Sequence, residues 1–327
     1  MRFTEYNAEV PAASAYNDVL TKVFLGLPVM GKFLRHYVVR SLMTRHDVLH
    51  VLLQAYKEWG GVERPNIAIL DWREVPTYSE FELFIRFFIG QGFECRIVDP
   101  RDVEHKDGKL FAGNFVINLI YKRVLITELI ERGGVDHPVV QAVRDGHVCM
   151  VNPFRCKILY KKTSLAVLSD ERNEDLFAKD ERRAIQAHIP WTRTVEERKT
   201  TYNDLPVDLI PFILKYQDRF VLKPNDDYGG RGIVFGWQTT TGGWERAVQE
   251  ALGTPYVVQE RVAIPQEPYP SIIDGRLQIF DRMLDTAPFI FYGDYVDGCL
   301  TRLSTDPVLN VSSGGGTSVP TVSVEKR

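Results

Sequence analysis

Residues 219–237 read Arg219-Phe-Val-Leu-Lys-Pro-Asn-Asp-Asp-Tyr-Gly-Gly-Arg-Gly-Ile-Val-Phe-Gly-Trp237. β-Branched and aromatic residues fill 220–222 and 233–235, and the glycines lie between them, so the stretch predicts a strand, a loop and a second strand. Gly229, Gly230 and Gly232 let the backbone approach an anion closely. Lys223, at the end of the first strand, and Arg231, inside the loop, bring positive charge to the same place. This chemistry suits a polyphosphate. The plainer alternative is an ordinary hairpin in which glycine simply marks the turn.

Three better-known phosphate motifs do not fit. A dinucleotide fingerprint needs its glycines to open a helix, whereas an apolar β-type run follows Gly232. A Walker loop needs Gly-Lys followed by Ser or Thr, and a protein kinase needs His-Arg-Asp and Asp-Phe-Gly; none of these occurs in the chain.

At 327 residues the chain has room for two or three domains, and its 44% hydrophobic and 25% charged residues are those of a globular protein. A net charge of -3 argues against a nucleic-acid partner bound by phosphate neutralisation. The four cysteines form no Cys-x-x-Cys pair, which predicts reduced thiols and a cytoplasmic setting. His137, His147, Cys149 and Cys156 are close in sequence, but they lack the tight paired spacing of a thiolate metal site. No apolar run approaches the roughly 20 residues that cross a bilayer, and no charged segment followed by an apolar signal core opens the chain, so no membrane role is expected.

Residues 3–18 look like the end of a strand running into a polar loop. Either this stretch pairs with a later element or a further segment precedes it. Glu5, Asn7 and Glu9 are candidates for lining a site for an amine or cation, or else serve as turn and capping residues. Residues 27–59 have helical spacing, closed by Gly60-Gly61. Residues 66–71, 79–90 and 94–98 read as strand, helix, strand, a parallel crossover unit, and 62–150 predict a small α/β domain with a mostly parallel sheet. Residues 157–168 read as one helix with Lys161 and Lys162 near its middle. Residues 255–262, Pro-Tyr-Val-Val-Gln-Glu-Arg-Val, predict a strand ending in polar residues.

The glycine loop, this last strand, 118–123 (Asn-Leu-Ile-Tyr-Lys-Arg), 151–154 (Val-Asn-Pro-Phe), 162–171 (Lys-Thr-Ser-Leu-Ala-Val-Leu-Ser-Asp-Glu) and 310–316 (Asn-Val-Ser-Ser-Gly-Gly-Gly) together resemble the ATP-grasp superfamily of ATP-dependent ligases. Within it they are most similar to the glutathionylspermidine-synthase-like, circularly permuted branch. The resemblance covers roughly residues 62–320 and implies an α+β architecture. Two α+β subdomains clamp ATP, preceded by a small α/β domain that helps hold substrate. The implied division is 1–61 as an N-terminal loop and helical segment, 62–150 as the α/β domain and 151–327 as the nucleotide-binding and catalytic region.

The resemblance also implies roles for individual residues. Lys223 and Lys162 would contact the ATP phosphates from two sides, and Asp227, Gly229, Gly230, Arg231 and Gly232 would form the loop over them. Gln259, Glu260, Arg261 and Val262 would be the hinge that reads adenine and ribose. Asp281 and Asn310 stand where the family places Mg²⁺ ligands, but its usual Glu-x-Asn pair is missing there, since Val308 stands two before Asn310; either Asp294 or Asp306 compensates or metal binding is weakened. Arg302 is expected to serve as a cation for the transferred phosphate or the substrate carboxylate, and 314–316 as a loop over the acyl site. The expected partners are a small carboxylate and an amine, joined through an acyl phosphate. Two other readings share the site: a nucleotide-binding protein without turnover, and a kinase acting on a small alcohol.

Overall fold

The lysine strand, Phe220–Pro224, forms an antiparallel hairpin with Val234–Phe235, as the sequence predicts. The computed structural model describes residues 1–227, 229–305 and 316–327. On its other side the lysine strand pairs antiparallel with the hinge strand Tyr256–Glu260, which pairs in turn with Thr192–Thr194. The helix Thr241–Gly253 contributes Trp244 and Val248, and Leu209–Lys215 contributes Leu209 and Ile213, to a core shared with Phe220, Leu222 and Val258. Trp244 is fully buried, and its indole N–H donates to the Ile213 carbonyl at 3.0 Å, which satisfies the one polar atom that burial would otherwise leave unpaired. This unit comprises Met1–Ala8 and Arg155–Ile264.

The second unit comprises Glu9–Phe154 and Pro265–Arg327. Its central sheet, in the order Cys95–Val98, Ile67–Leu70, Leu119–Lys122, Cys149–Val151, is parallel throughout. The crossover helix Tyr78–Gly90 buries Phe81, Phe84 and Phe88 against the sheet, so the expected parallel α/β arrangement is present. An antiparallel meander, Val103–Lys106, Lys109–Ala112 and Phe115–Ile117, lies within the same stretch of chain. A second sheet is antiparallel: Gln266–Ile273, Arg276–Phe291, Tyr295–Ser304 and Gly316–Val319.

Contacts thus group the chain otherwise than in three consecutive blocks, because its ends return to earlier elements. The C-terminal strand Val322–Lys326 pairs with Tyr37–Ser41. That pairing also breaks the helix expected over 27–59 into Pro28–Phe33, the strand, and Arg45–Trp59. Val38 and Val39 favour a strand once a partner is available, and that partner lies at the other end of the sequence. The polar loop expected over 3–18 instead contains the start of a helix, Ser14–Leu25. The helix expected over 157–168 is two short ones, Cys156–Tyr160 and Thr163–Ser169.

Candidate functional site

Alternation along the lysine strand sorts its side chains. Phe220 and Leu222 enter the core, while Val221 and Lys223 take the opposite face. The hinge strand sends Val258 to the core and Val257 and Gln259 to the lysine face. The register sets Lys223 opposite Val257, so Gln259 is its diagonal neighbour, within reach of long side chains. Lys223 Nζ donates to Gln259 Oε1 at 2.7 Å and to the Thr4 carbonyl at 3.1 Å. Gln259 Nε2 donates in turn to Thr192 Oγ1, directly across the next strand pair, at 3.0 Å.

Lys162 reaches the same place because the helix breaks in front of it. Asn225, just past the lysine strand, accepts the Lys162 N–H on its carbonyl at 3.1 Å and the Thr163 N–H on its side chain at 2.9 Å. This fastens the start of Thr163–Ser169 to the root of the glycine loop. Lys162 Nζ then donates to the Asp227 carbonyl at 2.7 Å, so Asp227 takes part through its backbone. In the loop Gly229, Gly230 and Gly232 have φ of 70°, 79° and 66°. A Cβ on Gly232 would also lie 3.1 Å from the Tyr256 hydroxyl and 3.2 Å from Pro224 Cγ, so glycine is required there on both counts. Arg231 is exposed at the loop.

The electrostatics are those of a cation pair. Burial pushes the Lys223 ammonium down to about 8; the Glu5 carboxylate opposes that shift and the Lys162 charge adds to it. Burial also lowers Lys162, against the opposing pull of Glu5, Asp227 and Asp226. Among the described residues neither ammonium has a carboxylate at ion-pair distance. A polyanion bound here favours the charged form of Lys223 and raises its pKa. At pH 8 nucleotide binding should therefore take up about half a proton, and at pH 6.5 almost none. Titration calorimetry in buffers of different ionisation enthalpy measures this. Equal uptake at both pH values would remove Lys223 from the site.

The rest of the hinge is divided. The Glu260 carboxylate lies on the core face, where Tyr202 donates to it at 2.5 Å, so the sheet pleat turns it away from Lys223. The amides of Glu260 and Arg261 donate to the Trp191 and Arg219 carbonyls at 2.8 Å and 2.7 Å. The Arg261 guanidinium sits 4.3 Å from the centre of the Trp237 ring. Val262 lies beyond the strand, half-buried.

No protein-family model and no curated protein sequence matches the chain. Among solved structures, a glutathione synthetase-like effector from Globodera pallida in its apo form superposes with a TM-score of 0.52 at 12% identity, covering 100% of this chain and 68% of that one. The chain shares its fold, the ATP-grasp fold, with that effector. D-alanyl-alanine synthetase A from Vibrio cholerae is more distant, with a TM-score of 0.33 at 12% identity over 73% of this chain and 74% of that one. So is the ATP-grasp ligase PsnB, solved with its minimal precursor, Mg and ADP: its TM-score is 0.33 at 11% identity, over 78% of this chain and 88% of that one.

Against the ATP-grasp expectation the metal and acyl residues fall unevenly. Asp281 is exposed on Arg276–Phe291, opposite Pro268 of the neighbouring strand. Arg302 faces Asp285 across the sheet and donates to both of its carboxylate oxygens along one guanidinium edge, through Nη2 and through Nε at 2.9 Å, so its charge already has a counter-ion. Asp294 closes the turn after Phe291, its amide donating to the Phe291 carbonyl at 3.0 Å. All three belong to the second unit. Asn310, Asp306, Gly314 and Gly315 lie outside the described residues.

The N-terminal segment meets the lysine face through Thr4. Glu5 acts electrostatically on both Lys162 and Lys223, and Thr4 holds the second of them. Glu5-Tyr6-Asn7 is itself Glu-x-Asn. The same spacing at Glu171 and Asn173 is structural, since Arg193 and Arg198 each hold the Glu171 carboxylate at 2.7 Å. Glu9 is a different case. It is fully buried in the second unit, where its carbonyl accepts from Lys122 Nζ at 3.2 Å and from Asn152 Nδ2 at 3.4 Å.

Burial pushes the Cys95 and Cys149 thiols up to about 12 and about 11, which leaves them without thiolate character at neutral pH. Replacing all four cysteines together with alanine or serine should leave turnover within a few fold, a result that a steady-state assay on the folded variant checks directly.

Proposed function

We propose that the chain is an ATP-dependent carboxylate–amine ligase that joins its substrates through an acyl phosphate and releases ADP and phosphate. The observation that carries this reading is the pair of buried lysines, Lys223 on the sheet and Lys162 at the start of a helix, bonded to neutral oxygens beside a glycine loop. A buried cation without a counter-ion costs several kcal/mol, of order 3–5 when its partner is missing, and a triphosphate supplies the absent charge. In this reading Lys162 and Lys223 approach the phosphates from two sides, the amides of Gly229 to Gly232 close over them, and the Val262 backbone meets the adenine edge.

The substrate carboxylate attacks the γ-phosphorus, the bond to the β-phosphate oxygen breaks, and the lysines stabilise the charge that collects on ADP. The amine then attacks the acyl carbon and phosphate leaves. Positioning and charge carry the reaction, so no nucleophilic side chain is needed. Glu5 and Asn7 are solvent-accessible, and they offer a carboxylate and an amide carbonyl, the hard oxygen donors that suit Mg²⁺. Mg²⁺ held there would neutralise part of the triphosphate charge.

The test is isotopic. Oxygen-18 placed in the carboxylate of a turned-over acid should pass to the released phosphate, and hydroxylamine in place of the amine should give a hydroxamate in step with ADP. Label retained wholly in the acid-derived product, or AMP as the nucleotide product, overturns the mechanism; phosphate retained on an alcohol would make the protein a kinase. Glu5→Gln should raise the Mg²⁺ concentration needed for half-maximal turnover about tenfold or more while Mg²⁺-free ADP binding is kept. An unchanged Mg²⁺ requirement would place the metal elsewhere.

A further inference from the structure

The sequence raises a metal site around His137, His147, Cys149 and Cys156, and the structure takes that group apart. His137 caps its own helix, its Nδ1 accepting from the Val139 N–H at 3.2 Å, and Cys149 is buried. His147 meets a residue from far away instead. His105 Nε2 and His147 Nδ1 lie 2.9 Å apart across 42 positions of sequence. Asp145 completes a group whose ligand atoms all fall within 4.8 Å of one another, the one such histidine, cysteine and carboxylate cluster among the described residues.

Two tight turns hold these side chains in place. His105 sits on Val103–Lys106, one position before a hairpin turn whose two central residues, Asp107 and Gly108, have φ of 50° and 71°. Asp145 is the C-cap of the helix Pro138–Arg144, and Gly146, at φ 73°, turns the chain so that the His147 amide donates back to the Ala142 carbonyl at 2.8 Å. Both backbones are therefore fixed locally, and the ligands do not depend on a long loop.

We propose that His105, Asp145 and His147 bind a divalent transition ion of the Zn²⁺ class, fastening the hairpin tip to the end of this helix. Two imidazole nitrogens and one carboxylate suit Zn²⁺, Co²⁺, Ni²⁺ or Cu²⁺, and are a poor set for Mg²⁺ or Ca²⁺. Tetrahedral Zn²⁺ with bonds of about 2.0–2.1 Å places its ligand nitrogens roughly 3.3 Å apart, so the two rings need to separate by only a few tenths of an ångström. Asp145 is exposed and is held by Arg144 only at 3.5 Å, which leaves its carboxylate able to swing in. Three protein ligands leave the fourth position to water.

The test uses the full chain, stripped with a chelator and titrated with Co²⁺ or Zn²⁺ alone. One equivalent should bind and raise the melting temperature. His105→Ala and His147→Ala should each weaken binding about tenfold or more, while His50→Ala, on the exposed face of another helix, should leave it unchanged. Absence of stoichiometric binding, equal affinity in all three variants, a thiolate-to-Co²⁺ absorption band or displacement of Co²⁺ by millimolar Mg²⁺ would each overturn the proposal. Nucleotide binding is not involved, so the result is independent of the ligase reading.

Discussion

Lys223→Met is expected to weaken ATP binding by about a hundredfold. A hydrogen bond from a charged donor contributes about 1.5–3 kcal/mol, and Lys223 delivers its charge from a position only 9% exposed, where water screens it little. Methionine keeps the volume of the stem and removes the ammonium, so the sheet face keeps its shape. The change also leaves Gln259 Oε1 and the Thr4 carbonyl without the donor they now share, a cost of about 1–3 kcal/mol that offsets part of the stability gained by removing a buried charge without a carboxylate at ion-pair distance. Circular dichroism and thermal melting separate that cost from the loss of affinity. Lys162 keeps part of the positive charge beside Lys223, so weak residual binding is expected, and Lys162→Met in the same chain should abolish it. Affinity within threefold of the parent in a folded Lys223→Met protein would remove the lysine face from the nucleotide site.

The largest expected effect on stability lies in the other unit. Arg123→Met should cost about 3–5 kcal/mol and lower the melting temperature by on the order of 10 °C. Arg123 Nη2 donates to Glu80 Oε2 at 3.0 Å with both side chains almost wholly inaccessible, and the guanidinium carbon lies 5.0 Å and 5.6 Å from the ring centres of Phe81 and Tyr121. Glu80 Oε1 accepts from the Ala15 amide at 3.1 Å, which ties the helix Ser14–Leu25 to the crossover helix. Removing the arginine strands a carboxylate where no water can reach it, and that uncompensated charge makes up most of the loss. The double variant Arg123→Met, Glu80→Gln removes the charge along with its partner and should recover more than half of the lost stability, since glutamine can still accept from Ala15. A double variant no more stable than the single one would mean that packing against Phe81 and Tyr121, and not the ion pair, is what the site contributes.

The glycine hairpin, the lysine at its strand end, the hinge strand and the parallel crossover unit are all legible in the residue pattern alone. Each of these is a local pattern. Alternation and β-propensity act between near neighbours, and a glycine that must adopt positive φ is visible at its own position. Lys162 was legible as a residue but not in its setting, because the break that turns it inward depends on Asn225, brought to it by the lysine strand. The remaining features are non-local in the same way. Glu260 is lost to the lysine face because the pleat and Tyr202 take it to the other side, and Arg302 is claimed by a cross-strand aspartate. Val38 and Val39 become a strand only when the C-terminus arrives to pair with them. The N-terminal segment joins the site through a lysine 219 positions away, a contact that follows from how the sheet is assembled and that no spacing along the chain encodes.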